Sequence, residues 1–251
     1  MPSDCSSQKI VFQGVCKKKP LRDGQMVEVL CGVDLKIEAG QYIGVLGASG
    51  SGKSTMLRLM NRLEDPDAGS IHYGDKNINE LNILNLRRRI ALVLQKPVIF
   101  PGTVIENVMI GDILAGESGD EDRACRWLKF VKLPGDLVCR DAASLSVGQQ
   151  ARVQLARALY LEPEVILLDE CTANLDVKNA EDILYGLEEL FLKEKRTIVH
   201  VSHQPGRLKL CRYLIYLENG KIVASGKPAD ILENPGGPAA KILSGHGGSG
   251  L

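Results

Sequence analysis

The sequence predicts an α/β fold: a mostly parallel sheet, an antiparallel β-layer beside it and a helical subdomain inserted between its strands. Three observations carry this. Continuous apolar runs of strand length alternate with segments of helical period. One of those runs passes through a glycine-rich loop straight into a helix. A long middle stretch has short helical pieces and no strand pattern.

The elements follow in order. "VEVLCGVDLKIEAG" (Val27–Gly40) alternates apolar and polar residues and predicts an antiparallel strand pair. "QYIGVLG" (Gln41–Gly47) is an apolar strand that runs into "ASGSGKSTMLRLMNRL", where Met56, Leu57, Leu59, Met60 and Leu63 supply an apolar helical surface. Arg88–Gln95, Pro163–Glu170 and Arg196–His203 read as buried strands, because their apolar runs are continuous rather than alternating. Helices are predicted over Ser146–Tyr160 and Val177–Leu192, and "YLIYLENGKIVASG" (Tyr213–Gly226) is a hairpin around Glu218-Asn219-Gly220. The expected division is one domain over 1–251: a core of 10–95 and 144–230 with its β-layer, a helical subdomain 96–143, and a tail 231–251 whose Gly/Ser-rich end is expected to be disordered. No internal repeat is visible.

Composition narrows the function. Lys+Arg and Asp+Glu are both 31, so the formal charge is +0 and no global field favours nucleic acid or an anionic membrane. No nucleic-acid partner is expected. The seven cysteines are scattered without a CxxC pair, which makes zinc and disulfide frameworks poor readings and fits a reducing, cytosolic setting. No apolar run approaches the roughly 20 residues that span a bilayer, and "MPSDCSSQK" is not a signal peptide. A protein of this kind working at a membrane needs something else to hold it there.

The chemistry begins at "GASGSGKS", Gly47–Ser54, which fits G-x-x-x-x-G-K-[ST] between a strand and a helix. This marks a P-loop NTPase core. Gly47, Ala48, Ser49, Gly50, Ser51, Gly52, Lys53, Ser54 and Thr55 form the candidate nucleotide cradle: backbone N–H groups converge on phosphate oxygens, Lys53 reaches the outer phosphates and Ser54 can ligate Mg²⁺. Phosphoryl transfer also needs a carboxylate for the metal and a group that orients or deprotonates the attacking water. "VILLDE" offers Asp169 for the first and Glu170 for the second. Gln95 and His203 close two further strands on the same predicted edge. Each alone reads as a solvated or backbone-bonded side chain; with the acidic pair they make a constellation able to sense a terminal phosphate. His200 lies inside its apolar run and reads as structural.

"SLSVGQQARVQLARAL" (Ser144–Leu159) is a second glycine turn feeding a helix, with Ser146 as a plausible N-cap. On sequence physics alone it is an ordinary capped amphipathic helix, and one phosphate loop already serves one triphosphate. The order "GASGSGKST", Gln95, "LSVGQQARVQLARAL", "VILLDECTANLD" and "VSH" resembles the nucleotide-binding domain of ABC ATPases over residues 10–230. That resemblance implies two chains packed head to tail around two ATP and Mg²⁺. Ser146, Gly148 and Gln149 of each would then face the nucleotide on the other; Gln95 would touch Mg²⁺ and the water, His203 would switch on the γ-phosphate, and Asp176 would link the two sites. Val147, Cys171 and "ANLD" depart from the family's pattern without removing a charged or catalytic group. The family also stacks adenine on an aromatic upstream of the loop, and none lies between Phe12 and Tyr42, which leaves the base to an aliphatic contact or to Arg22.

Within that family the compact insert is similar to transporter ATPases. "QKPVIFPGTVIENV" looks like a surface that receives a helix of an integral membrane permease subunit, offering Val98, Ile99, Phe100, Val104, Ile105 and Val108, some of which would pack the insert itself. "LRRRIALVLQKPVIFPGTVIENV" and "LSVGQ" are most similar to small ATPase subunits of bacterial iron-homeostasis and plant aluminium-tolerance systems, with phosphate-importer ATPases next. The implied protein is an ATP hydrolase, cytoplasmic and peripheral on the inner face of the cell membrane. A soluble regulatory ABC ATPase without a membrane partner is the alternative.

Overall fold

A computed structural model describes residues 9–232 apart from 22, 174, 204 and 209. Residues 1–8 of "MPSDCSSQK", Arg22 and the tail from 233 onward, all weighed above, lie outside the described residues.

Two sheets form the frame. Strands β1 (Ile10–Pro20), β2 (Met26–Ile37), β4 (Ala68–Tyr73) and β5 (Lys76–Asn77) make an antiparallel sheet in the order β2-β1-β4-β5. Strands β3 (Tyr42–Leu46), β6 (Ile90–Val93), β7 (Val165–Asp169), β8 (Thr197–Val201), β9 (Tyr213–Glu218) and β10 (Lys221–Gly226) make the second, in the order β10-β9-β3-β8-β7-β6. All its pairings are parallel except β9 with β10. The expected mostly parallel sheet and its antiparallel companion are both present.

Continuous apolar strands arise because both faces of the parallel sheet are covered. Along β3, Tyr42 and Leu46 pack into one core, with helices α3 (Val104–Leu114), α5 (Val147–Tyr160) and α6 (Val177–Lys193). Ile43 and Val45 pack into the other, with α1 (Lys53–Met60) and the antiparallel sheet. The same alternation runs along β7, where Ile166 and Leu168 face the first core and Val165 and Leu167 the second. His200, fully buried in β8, bonds the Tyr42 hydroxyl through Nδ1 at 3.2 Å and is structural, as its apolar surroundings imply.

Three expectations change in detail. Val27–Gly40 is not a strand pair: β2 is a single strand whose partner is β1, upstream of it. The alternation marked a strand but carried no turn signal to say where its partner lay. Helix α1 ends at Met60 because Arg62 turns left-handed (φ 53) and Leu63 N–H caps the Arg58 carbonyl, which leaves Leu63 exposed instead of on the helix face. Arg88 and Arg89 close a short helix, α2 (Ile83–Arg89), rather than open the strand. The hairpin β9–β10 forms as expected, with Asn219 (φ 47) and Gly220 (φ 74) both left-handed, the turn Asn-Gly favours. The stretch between β6 and α5 holds α3, α4 (Glu121–Phe130) and two single 3₁₀ turns, at Gly135–Leu137 and Ala142–Ser144.

Candidate active site

The carboxyl ends of β3, β8, β7 and β6 stand side by side, and each delivers polar groups to the same edge. From β3 comes the loop Gly47–Gly52. Two of its glycines are required by close approach: a Cβ on Gly47 would sit 2.2 Å from the Leu217 carbonyl oxygen, and one on Gly52, at φ 106, would sit 2.6 Å from that of Val29. Gly52 begins α1 with no side-chain cap, so the first N–H groups of that helix face the loop's interior without a side-chain acceptor. Lys53 folds back and donates to the Gly47 and Ala48 carbonyls at 2.8 and 2.7 Å. Burial pulls its ammonium below the usual lysine value, against the attraction of Glu170 and Asp169.

Strand β7 ends at Asp169, which is 2% exposed and accepts the Ser54 hydroxyl at 2.8 Å. Burial pushes its carboxyl above the usual range, and the Ser54 hydrogen bond opposes that. Glu170 follows with a left-handed backbone, φ 49, in a region that costs a non-glycine residue about 1–3 kcal/mol and is found where function demands it. Its Oε2 is reached from both sides, by Gln95 Nε2 at 2.9 Å and His203 Nδ1 at 3.0 Å. These groups open on one cavity of about 700 Å³, lined also by Ala48, Ser49, Gly50 and Thr55.

Thus Gln95, His203, Glu170, Lys53 and Ser54 meet as their strand-end positions imply, with Asp169 bonded to Ser54 at their side. Ser51 differs: it is 5% exposed, is not among the lining residues, and its buried Oγ has no partner. Ser146, Gly148 and Gln149 do not line the cavity either. They start α5, where Gln149 N–H donates to Ser146 Oγ at 3.3 Å and Ser146 N–H to Gln149 Oε1 at 3.0 Å. This reciprocal capping box satisfies the turn within one chain and leaves Val147 exposed at its tip.

An ABC transporter family model matches residues 30–173, across the loop, Gln95, the α5 turn and the acidic pair. The chain belongs to the ABC transporter family. It is 38% identical over 208 residues to ABC transporter I family member 17 of Arabidopsis thaliana, covering 81% of this chain and 78% of that protein. Protein STAR1 of Oryza sativa subsp. japonica is 37% identical over 226 residues, 90% of this chain and 64% of its own length. The chain therefore spans less than two thirds of that second relative. Among solved structures, the ATP-binding cassette MJ0796, a dimer bound to ADP and Pi in a post-hydrolysis state, is 31% identical with a TM-score of 0.81, covering 87% of this chain and 98% of that one. The resemblance read from five ordered motifs is thereby confirmed, and the chain is an ABC-type ATPase of an ATP-driven transporter.

Two groups in this ABC ATPase escaped sequence reasoning. Val29 of β2 lines the nucleotide cavity from outside any motif. Gln154, 6% exposed on α5, donates to the Leu94 carbonyl at 2.8 Å and accepts the Val98 N–H at 2.7 Å, gripping the chain on both sides of Gln95. Its signal was a polar residue between buried Val153 and Leu155. Arg157, one turn on, donates to the Val98 and Asn107 carbonyls, both at 2.9 Å, and lies over the Phe100 ring. Of the apolar residues offered for docking, Val104 and Val108 are buried in the core and do not face a partner, whereas Val98 and Phe100 are exposed. Ile99 and Phe100 also line a second cavity of about 580 Å³, with Asp141 and Gln150. Among the described residues no helix is long and apolar enough to cross a membrane.

Proposed function

We propose that this chain is the ATP-hydrolysing subunit that drives a separate integral membrane permease, working as a head-to-tail homodimer with two Mg·ATP held between the chains. The observation that carries the hydrolytic part is Glu170, whose Oε2 is addressed by both Gln95 and His203 in the cavity that Lys53 and Ser54 line.

The residues present fit Mg²⁺: a hydroxyl and a carboxylate, both hard oxygen donors, stand at 2.8 Å in Ser54 and Asp169, and Gln95 lines the same cavity. Ser54, Asp169 and Gln95 would hold it. When bound, the ion neutralises charge on the outer phosphates. The uncapped start of α1 and the Lys53 ammonium hold the phosphate chain, Lys53 exchanging its two loop carbonyls for phosphate oxygens. Glu170 receives a proton of the attacking water as general base. Gln95 orients that water, and His203 on the other side of Glu170 senses the γ-phosphate.

The second chain supplies the rest. Ser146, Gly148 and Gln149 stand at a helix start, Ser146 exposed and the other two half-buried, where an anion on a neighbouring chain can be met. Asp176, the N-cap of α6, lies 3.8 Å from Arg152 of α5 and links the two elements that would face the partner. Residues 96–143 act as a helical subdomain, with Val98, Phe100 and the adjoining cavity as the permease's seat. The assembly is cytoplasmic and peripheral, on the inner face of the cell membrane. The dimer and the post-hydrolysis ADP and Pi of the MJ0796 cassette support this reading.

The test combines binding, turnover and capture. Lys53→Ala should lose ATP binding, and the wild-type chain should release phosphate from Mg·ATP. A multi-span protein should copurify from membranes; a stable dimer recovered without one selects the membrane-free regulatory ATPase instead.

A further inference from the structure

His203 and Glu170 meet because β8 and β7 are parallel neighbours, with Asp169 beside Val201 in the register and the Glu170 N–H donating to the Val201 carbonyl at 3.2 Å. Beyond that bond the two segments part. One turns through residues 171–175 toward the start of α6; the other passes His203 and enters a single 3₁₀ turn, Pro205–Leu208. The 3.0 Å between His203 Nδ1 and Glu170 Oε2 therefore depends on what holds the two turns together.

Each turn is anchored in the core. Cys171 and Leu175 are buried on one side and Leu208 on the other, all three in the same apolar cluster. Apolar burial is non-directional, so it fixes depth more than alignment. Arg207 supplies a directed link: its half-buried guanidinium donates to Thr172 Oγ1 at 2.9 Å. Thr172 is 2% exposed, and its carbonyl accepts the Leu175 N–H at 3.1 Å, while the Glu170 carbonyl accepts the Ala173 N–H at 2.9 Å. The hydroxyl is thus fixed in the turn that starts at Glu170. Arg207 does not line the nucleotide cavity; it lines a separate groove of about 210 Å³ with Val177, Glu181 and Tyr185. Its action on the site must pass through the groups it holds.

We propose that Arg207 is a positioning residue for hydrolysis: by binding Thr172 it joins the His203 turn to the Glu170 turn and sets the alignment of His203 against the carboxylate. This rests on the reading of Glu170 as the base and His203 as the γ-phosphate sensor. A displacement of about 1 Å, caused far from the reacting atoms, can cost about a hundredfold in rate. The phosphate loop, which binds the nucleotide, is not part of this link. Loss of the bond should therefore lower turnover and spare binding.

The test is single-turnover and steady-state phosphate release from Mg·ATP by the full chain, with binding of a fluorescent ATP analogue measured alongside. Arg207→Met keeps the stem and removes the donors; Thr172→Val keeps the shape and removes the acceptor. Each should lower kcat about tenfold or more, with KM and analogue affinity within about twofold of the parent. The double variant should be no slower than either single one, because both remove the same bond. Thr172→Ser, which keeps the hydroxyl, should stay near the parent. Added to His203→Ala, Arg207→Met should cost less than about threefold more, whereas general loosening would multiply the losses. A folded Arg207→Met chain with the parent kcat, additive losses in the double variant, or an undiminished loss on top of His203→Ala overturns the proposal. Should Arg207→Met not fold, Thr172→Val alone and combined with His203→Ala decides the matter on the same criteria. A parent chain that releases no phosphate removes the hydrolytic reading first and this inference with it.

Discussion

Gln154 accepts the Val98 N–H at 2.7 Å, tying the helix that begins at Ser146 to the loop that leaves Gln95. Its amide nitrogen holds the other flank at the Leu94 carbonyl, so Gln95 sits in a span whose two ends belong to α5. Movement of the α5 turn therefore reaches the side chain that touches Glu170. Replacing Gln154 with Leu keeps the volume and removes both bonds. ATP KM should hold, because the phosphate loop is untouched, while kcat falls about tenfold to a hundredfold through misplacement of Gln95. Hydrogen exchange separates this from general loosening: the Val98 amide should exchange faster, and the Phe100 amide, held by Asn107 Oδ1 at 2.9 Å, should not.

Glu170→Gln preserves the shape of the residue that Gln95 and His203 address and removes its basicity. Nucleotide affinity should stay within a few-fold of the parent and phosphate release should drop by about 10²–10⁴. Single-turnover release at the parent rate would remove Glu170 as the base.

Gly148→Asp places a carboxylate at the start of α5, two residues from Ser146 and outside the cavity. A single chain should still bind ATP. The dimer formed with Mg·ATP by the slow-hydrolysing Glu170→Gln background should disappear in light scattering, because an anion would meet the partner's phosphates. A dimer that persists in that background, together with normal turnover by Gly148→Asp alone, returns this turn to a helix cap and nothing more.

His200 makes stability pH-dependent. It is fully buried, its Nε2 has no partner, and burial pulls its pKa from 6.5 to about 4. The unfolded chain therefore binds the proton that the folded chain refuses, and stability rises with pH across that window. The contribution is complete above 6.5 and is lost as the pH falls toward 4, a swing on the order of 3 kcal/mol. Urea midpoints taken from pH 7.5 down to pH 5 should fall, and a folded His200→Gln variant should show a shallower decline over the same range.

The sequence was most legible where chemistry and chain order coincide. Lys53, Ser54, Asp169 and Glu170 lie in local patterns that a strand and a glycine loop explain together. Gln95 and His203 needed the further step of seeing that parallel strands end on one edge, which continuous apolar runs supplied. Val29 was invisible because it reaches the cavity from a bulge, where Lys17 pairs with Leu30 and Lys18 with Glu28, a matter of register between two strands that no single strand records. Strand β1 was missed for a related reason: β2 shows its alternation but not its partner. Ser146 was legible as a cap, and the single chain displays that cap, closed by Gln149; the contact expected of Ser146, Gly148 and Gln149 belongs to a second chain.

The strand that carries the phosphate loop has no sheet neighbour among the first 190 residues. β3 lies between β8 and β9, Leu217 puts its carbonyl beneath Gly47, and Gly220 donates to the Ser51 carbonyl at 3.2 Å. During synthesis the loop therefore emerges long before its floor. A nascent chain must hold an apolar strand and a glycine loop unpaired until the hairpin β9–β10 arrives, a delay that favours exposure to chaperones. ATP becomes able to stabilise the fold only once β9 and β10 have been made. Chains stalled before Thr197 should gain no protease resistance from Mg·ATP, and chains released after Gly226 should gain it.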